Sequence, residues 1–278
     1  MVRQKTTEQV KTAAKVPPRP KWHVWLWALG LPLWVYGGFL AAQFTVAAAV
    51  WGLATIGVSL QLVDTTLLTT IIAAASYGLA LAVVAGLPWW FYRRRTTCRE
   101  LGVAGRPEWL DIALPPLTFL VYMVATVVVM ALVTSFLPID MTQKQALPFD
   151  QSSSIVLWQQ LLICFTLVIA APVAEELLFR GYLYAKLRVL VPAWATVLLT
   201  AAAFGLAHAW AGPGHALQWM VVVDTMVLGV FLGSLREHTG AIWASIGLHM
   251  IKNGLAFYFL FVNPNVIQQL NAALLPLL

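Results

Sequence analysis

Three groups of residues with polar side chains among them stand in long apolar stretches of this 278-residue chain. Within each group, members are four residues apart, which is a helical spacing. The groups are Glu175 and Glu176 with Arg180, Phe204 with His208, and His249 with Asn253. Carboxylates, imidazoles and an amide are the side chains that activate water and stabilise developing negative charge. Hydrolysis is therefore the chemistry that these residue types indicate, provided that the fold brings the three groups together.

The two glutamates are adjacent and so point about 100° apart on a helix, which gives them different surroundings. Glu176 and Arg180 are four residues apart and share one face, a spacing that favours an ion pair. Glu175 is then left without this partner, and a carboxylate in that position can act as a general base toward water. The alternative is that all three residues form a structural charge cluster at the end of a long helix.

The histidines favour a shared site. His249 and Asn253 are four residues apart and lie side by side on one helical face, while His208 belongs to another apolar segment. A single histidine in a membrane helix is more often an interhelical hydrogen-bonding residue than a catalyst. Polar groups on three separate helices are more simply explained by one common pocket.

The composition identifies the solvent of the protein. Apolar residues make up 60% of the chain and charged residues only 10%, whereas a soluble domain has about 25% charged residues. The mean hydropathy is +0.80. This composition excludes disorder, a nucleic-acid-binding domain and an ordinary cytosolic enzyme, and it predicts an integral membrane protein with lipid as its main surroundings.

Seven stretches are long and apolar enough to be candidate membrane helices, each needing about 20 residues. They are residues 24–58, 66–88, 113–137, 155–186, 192–209, 217–235 and 240–262. We predict an all-α, polytopic transmembrane bundle of about seven or eight membrane helices around a polar intramembrane cavity. The predicted divisions are a basic tail at 1–22, N-terminal helices with a cytoplasmic linker at 23–111, and a core at 112–278.

The distribution of basic residues predicts the orientation. Six Lys or Arg residues precede the first apolar stretch, and a second cluster around Arg93 to Arg95 follows the second stretch. Positive charge favours the cytoplasmic side, so both clusters lie inside if residues 24–58 cross the membrane once. We prefer this arrangement to a hairpin at Gly37-Gly38. It predicts a multi-pass plasma-membrane protein with a cytoplasmic N-terminus.

The three groups together resemble the signature motifs of the CPBP (CAAX protease and bacteriocin-processing) family, which is also called Abi. The matching residues are Glu175-Glu176-x-x-x-Arg180, Phe204-x-x-x-His208 and His249-x-x-x-Asn253. Eukaryotic relatives in that family are the type II CAAX prenyl endopeptidases. The resemblance covers about residues 112–262 and implies an all-helical intramembrane peptidase whose polar cavity opens toward the cytosol.

The resemblance also implies a role for each residue. Glu175 would activate the hydrolytic water, with His208 helping to hold it, and His249 with Asn253 would stabilise the oxyanion. Glu176 and Arg180 would orient the site, and Arg180 could also meet a substrate carboxylate.

No cofactor is expected, but zinc is the alternative. A carboxylate and two imidazoles, here Glu175, His208 and His249, are a ligand set that zinc enzymes use.

Three function classes follow from these residues. The leading one is an endopeptidase acting on a peptide or membrane-protein substrate in the lipid bilayer, with no nucleic-acid partner. The second is a non-catalytic peptide-binding protein, such as a bacteriocin-immunity factor, and the third and least favoured is a transporter. Asp224 and Lys252 are the remaining intramembrane charges, and we interpret both as structural.

Overall fold

The computed structural model describes residues 22–93, 95–139, 147–149, 155–209 and 217–265. These residues form eight helices and no strand. The helices are α1 (Trp22–Thr55), α2 (Thr65–Phe91), α3 (Cys98–Leu101), α4 (Trp109–Phe136), α5 (Leu157–Leu190), α6 (Ala193–Ala207), α7 (Trp219–Thr239) and α8 (Trp243–Val262). Almost all of the predicted basic tail, and Arg94, lie outside the described residues.

Six of the described helices, α1, α2, α4, α5, α7 and α8, are long and apolar enough to cross a membrane. Their outward faces carry large apolar side chains, such as Leu33 and Val124. The prediction of a helical membrane bundle is confirmed. The predicted stretch at 192–209 forms α6, whose 15 residues span only about 22 Å and so fall short of the membrane core of about 30 Å.

The first predicted stretch is one continuous helix, as a single crossing requires. Helix α1 has 34 residues and contains Pro32, and Gly37 and Gly38 do not interrupt it. Gly38 instead permits close contact with α2, because a Cβ atom there would lie 2.6 Å from Cγ2 of Val84.

Helix α5 is the central element of the bundle. Seven consecutive residues, from Leu178 to Tyr184, are buried, so this part of the helix is covered on every side. Two π-helical segments, Phe165–Ala170 and Leu177–Leu183, interrupt its α-helical register. Such segments occur frequently at functional sites. The short α-helical segment between them, Ala171–Glu176, contains both glutamates.

Helices α6 and α7 approach each other closely through glycines. A Cβ atom on Gly229 would lie 2.8 Å from Cα of Ala201, and one on Gly205 would lie 2.8 Å from the carbonyl oxygen of Val222. Gly229 and Gly233 are four residues apart and form the small-residue spacing that lets membrane helices pack backbone against backbone. This contact positions the second motif, on α6, against the rest of the bundle.

The predicted linker after α2 is fixed to one end of the bundle by Arg236 of α7. Its guanidinium donates hydrogen bonds to the carbonyl oxygens of Arg180, at 3.1 Å, and Glu100, at 3.0 Å. Gly102 has a φ of +76°, and a Cβ atom there would lie 2.9 Å from Cζ of Arg236. A residue without a side chain is therefore required at this turn.

Substitution G229A should destabilise the bundle, because the added methyl group meets the α6 backbone. Overpacking of this kind costs about 1–3 kcal/mol. The matched control is G30A in α1, where a Cβ atom has no neighbour within 4 Å and alanine is the better helix former. Thermal unfolding in detergent should show a lower midpoint for G229A alone. Equal midpoints for the two variants would contradict this packing.

Candidate active site

The two adjacent glutamates have different environments, as their positions on the helix predict. The side chain of Glu176 is 0% exposed, and its Oε1 is 3.0 Å from both Nη1 of Arg180 and Nδ1 of His249. The side chain of Glu175 is 15% exposed. Glu176 is therefore enclosed by its partners, and Glu175 is the carboxylate of the pair that retains access to its surroundings.

Arg180 is fully buried and contacts three helices. Besides Glu176 of α5, its guanidinium donates a 3.3 Å hydrogen bond to the carbonyl oxygen of Gly229 in α7. Its Cζ lies 4.4 Å from the ring centroid of Phe204 in α6. The ion pair expected from the spacing is thus present. The guanidinium is enclosed by protein, and the orienting role expected of Arg180 stays a prediction.

His249 lies between the two glutamates. Its Nδ1 is 3.0 Å from Oε1 of Glu176, and its Nε2 is 3.8 Å from Oε2 of Glu175. A carboxylate accepts hydrogen bonds, so Nδ1 carries the proton that is donated to Glu176. In the neutral ring, the Nε2 atom can then only accept a hydrogen bond. It can donate one only when both ring nitrogens are protonated.

His208 directly follows α6 and is its C-cap residue. Its Nδ1 is 2.8 Å from the carbonyl oxygen of Phe204. A carbonyl oxygen can only accept a hydrogen bond, so Nδ1 is the donor. When the ring is neutral, Nε2 can then accept a hydrogen bond from another group. Glu175 and Lys252 lie within electrostatic range of this imidazole.

The ring of Phe204 connects the three motifs. Its centroid lies 4.8 Å from that of His208 and 5.6 Å from that of His249, and the cation of Arg180 lies over its face. Aromatic pairs at these separations stabilise by about 0.5–1.5 kcal/mol beyond burial. The phenylalanine of the second motif therefore sets the positions of both imidazoles.

Asn253 is bonded to α5 at one of its π-helical segments. Its Nδ2 donates a 2.9 Å hydrogen bond to the carbonyl oxygen of Leu167. The amide nitrogen carries two hydrogens, so one remains available to another acceptor. Asn253 thus links α8 to the π-helical segment of α5 that precedes the short α-helical segment with the glutamates.

A zinc site needs three or four side-chain ligands arranged around one ion. Among the described residues, no group of three or more His, Cys, Asp or Glu side chains has an arrangement that could hold a metal ion. Nδ1 of His249 faces Glu176 and Nδ1 of His208 faces the carbonyl oxygen of Phe204, which leaves Nε2 of each ring as the nitrogen that a metal ion would take. Zinc at Glu175, His208 and His249 therefore stays a prediction.

Comparison with known proteins agrees with the motifs. Residues 157–255 match the model of the family described as type II CAAX prenyl endopeptidase Rce1-like. This segment is similar to that family. It covers somewhat more than a third of the chain and contains all three motifs, so the resemblance inferred from them is confirmed. No curated protein and no solved structure matches the chain.

A residue outside the matched segment 157–255 completes the site. The hydroxyl group of Tyr77 in α2 donates a 2.6 Å hydrogen bond to Oε1 of Glu175. The sequence motifs did not identify Tyr77, because it belongs to no motif. The available indication was general: a tyrosine hydroxyl in an apolar helix needs a hydrogen-bonding partner, but the sequence does not say which one.

Asp224 and Lys252 form a second polar group within the matched segment 157–255. Their side chains are paired at 3.4 Å across α7 and α8, and the hydroxyl group of Tyr122 in α4 also donates to Asp224. This interhelical pairing agrees with the structural interpretation of both charges. None of these contacts involves Glu175 or Glu176.

Substitution R180M should strongly destabilise the protein, because it leaves the buried carboxylate of Glu176 without its cation. Breaking a buried ion pair costs about 3–5 kcal/mol. The control is K186M, which breaks the partly exposed pair between Lys186 and Glu100, 3.4 Å apart, and should cost at most about 1 kcal/mol.

The R180M and K186M variants are compared by the thermal unfolding midpoint of the detergent-solubilised protein. The double variant E176Q/R180M removes both charges and should regain part of the stability lost in R180M. A midpoint for R180M equal to that of K186M would show that the buried pair does not stabilise the bundle.

Proposed function

We propose that this chain is an intramembrane endopeptidase in which Glu175 is the general base toward a water molecule. The observation that carries the proposal is the position of Glu175. It is a partly accessible carboxylate, fixed by Tyr77, with an imidazole nitrogen of His249 3.8 Å away. It also lies in the segment that matches a family of endopeptidases.

The separation of Glu175 and His249 suits a water molecule. At 3.8 Å the two atoms are too far apart for a direct hydrogen bond, yet one water can lie beside both. In the proposed reaction, Glu175 takes a proton from this water as the oxygen attacks the peptide carbonyl carbon. The carbon–nitrogen bond then breaks, and the proton passes to the nitrogen of the leaving amine.

The remaining side chains would have supporting roles in this reaction. His208 has Nε2 free to accept the second hydrogen of the water, because Nδ1 is held by Phe204. Asn253 has one amide hydrogen left for the oxyanion. His249 can assist as an oxyanion donor only with both ring nitrogens protonated, since Nδ1 already donates to Glu176.

We further propose that the site is reached from the cytosol and that the N-terminus is cytoplasmic. Basic residues gather at one end of the bundle, where Lys186 pairs with Glu100 and Arg188 pairs with Glu237. Arg236 binds the linker at this same end. The positive-inside rule assigns such an end to the cytoplasm.

The name of the matched family gives the first substrate class to test. We propose as substrate a peptide that ends in a CAAX sequence whose cysteine carries a prenyl group. An internally quenched peptide of this type, compared with the same peptide lacking the prenyl group, separates recognition of the lipid from recognition of the peptide.

Substitution E175Q should abolish cleavage of this peptide, because an amide cannot take the proton from water. The matched control is D224N, which neutralises another intramembrane carboxylate that is not part of the proposed site and should retain turnover. The measurement is the rate of fluorescence release by purified protein in detergent, with unfolding midpoints showing that both variants are folded. Retained turnover in E175Q would overturn the proposed mechanism.

A strong chelator should leave the cleavage rate unchanged, because the proposed step uses a carboxylate and no metal ion. The same assay, with and without the chelator and then with added zinc, measures this. Loss of activity on chelation and recovery with zinc would overturn the proposed metal-free step and would make Glu175, His208 and His249 metal ligands.

A further inference from the structure

We infer that Tyr77 is a positioning residue for Glu175, so that the catalytic unit includes α2, which lies outside the matched segment 157–255. This inference rests on the proposed function, because the position of a base matters only if the base acts. It adds a residue that belongs to none of the three motifs.

The contact itself is short and specific. The hydroxyl oxygen of Tyr77 is 2.6 Å from Oε1 of Glu175, a distance typical of a hydrogen bond to an ionised carboxylate. Because Tyr77 occupies Oε1, the carboxylate cannot rotate freely, and Oε2 is left facing His249. One oxygen is used for orientation, and the other remains for the water.

Helix α2 is held beside α5 by two further hydrogen bonds. Asp64 accepts from Gln159 at 2.8 Å, and Thr166 donates to Thr70 at 3.3 Å. Successive partners along the two helices are 95, 96 and then 98 residues apart in sequence. The larger increase, from 96 to 98, falls between Thr166 and Glu175, a stretch that contains most of the π-helical segment Phe165–Ala170. Wider turns there add residues to α5, so this segment contributes to the register in which Glu175 meets Tyr77.

Helix α1 supports the ring of Tyr77 from another side. The ring centroid lies 5.6 Å from that of Phe39. The indole of Trp34 donates a 3.1 Å hydrogen bond to the carbonyl oxygen of Val84, which joins α1 to α2 further along. A phenylalanine at position 77 would keep the ring packing and remove only the hydroxyl group.

The activity test is Y77F with the quenched prenylated peptide. A base that is no longer held should slow the chemical step by about ten- to a hundredfold, as misplacement of a reacting group does. The kcat should therefore fall while KM stays unchanged. The control is Y122F, which removes the same kind of tyrosine–carboxylate hydrogen bond at Asp224 and should keep kcat.

Two outcomes would overturn the inference about Tyr77 and leave the proposed function standing. They are a wild-type kcat in Y77F, or an equal loss of kcat in Y77F and Y122F. Turnover by E175Q, seen in a different variant, would instead overturn the proposed function and this inference with it.

A second measurement does not depend on the substrate. The unfolding midpoint of Y77F should be lower than that of the wild type, whereas adding Y77F to E175A should change the midpoint little, because the acceptor is already absent. An equal shift in both backgrounds would show that Tyr77 does not act through Glu175 and would overturn the inference.

Discussion

The buried contact of Glu176 with Arg180 and His249 is the interaction on which the rest of the site depends. A carboxylate without exposure must be compensated within the protein, and one oxygen of Glu176 meets both a guanidinium and an imidazole. Those partners belong to α5 and α8, and the guanidinium also reaches α7 and the Phe204 ring of α6. Satisfying a single charge thus fixes four helices relative to one another. It also leaves the neighbouring Glu175 with a different orientation and a different environment.

Irregular helices are the second constraint. The two π-helical segments of α5 lie on either side of the glutamates, and the first of them provides the carbonyl oxygen that Asn253 binds. In hydrocarbon, polar backbone groups released from regular helical bonding must find partners within the protein. Here the partner is a side chain of the third motif, so the irregular backbone and the site stabilise each other.

The sequence predicted those features that depend on composition and on local spacing. Apolar length predicted the membrane helices, and separations of four residues predicted the ion pair of Glu176 with Arg180. It did not predict Tyr77, because the contact joins residues 98 positions apart and requires the register produced by a π-helical segment. A fifteen-residue α6 was also not expected, since the apolar character of the sequence continues past the point where the helix ends.

The shortness of α6 has a consequence for hydration. A helix leaves its last carbonyl oxygens without helical donors, and α6 stops before it has spanned the hydrocarbon thickness. One of these oxygens, that of Phe204, is bonded by the imidazole of His208. The backbone N–H groups of His208 and Ala209 bond two more, those of Gly205 and Leu206. In the proposed reaction, the histidine that holds the water is therefore also the residue that closes the polar end of α6, so a change at His208 would alter both the hydration of the site and the end of the helix.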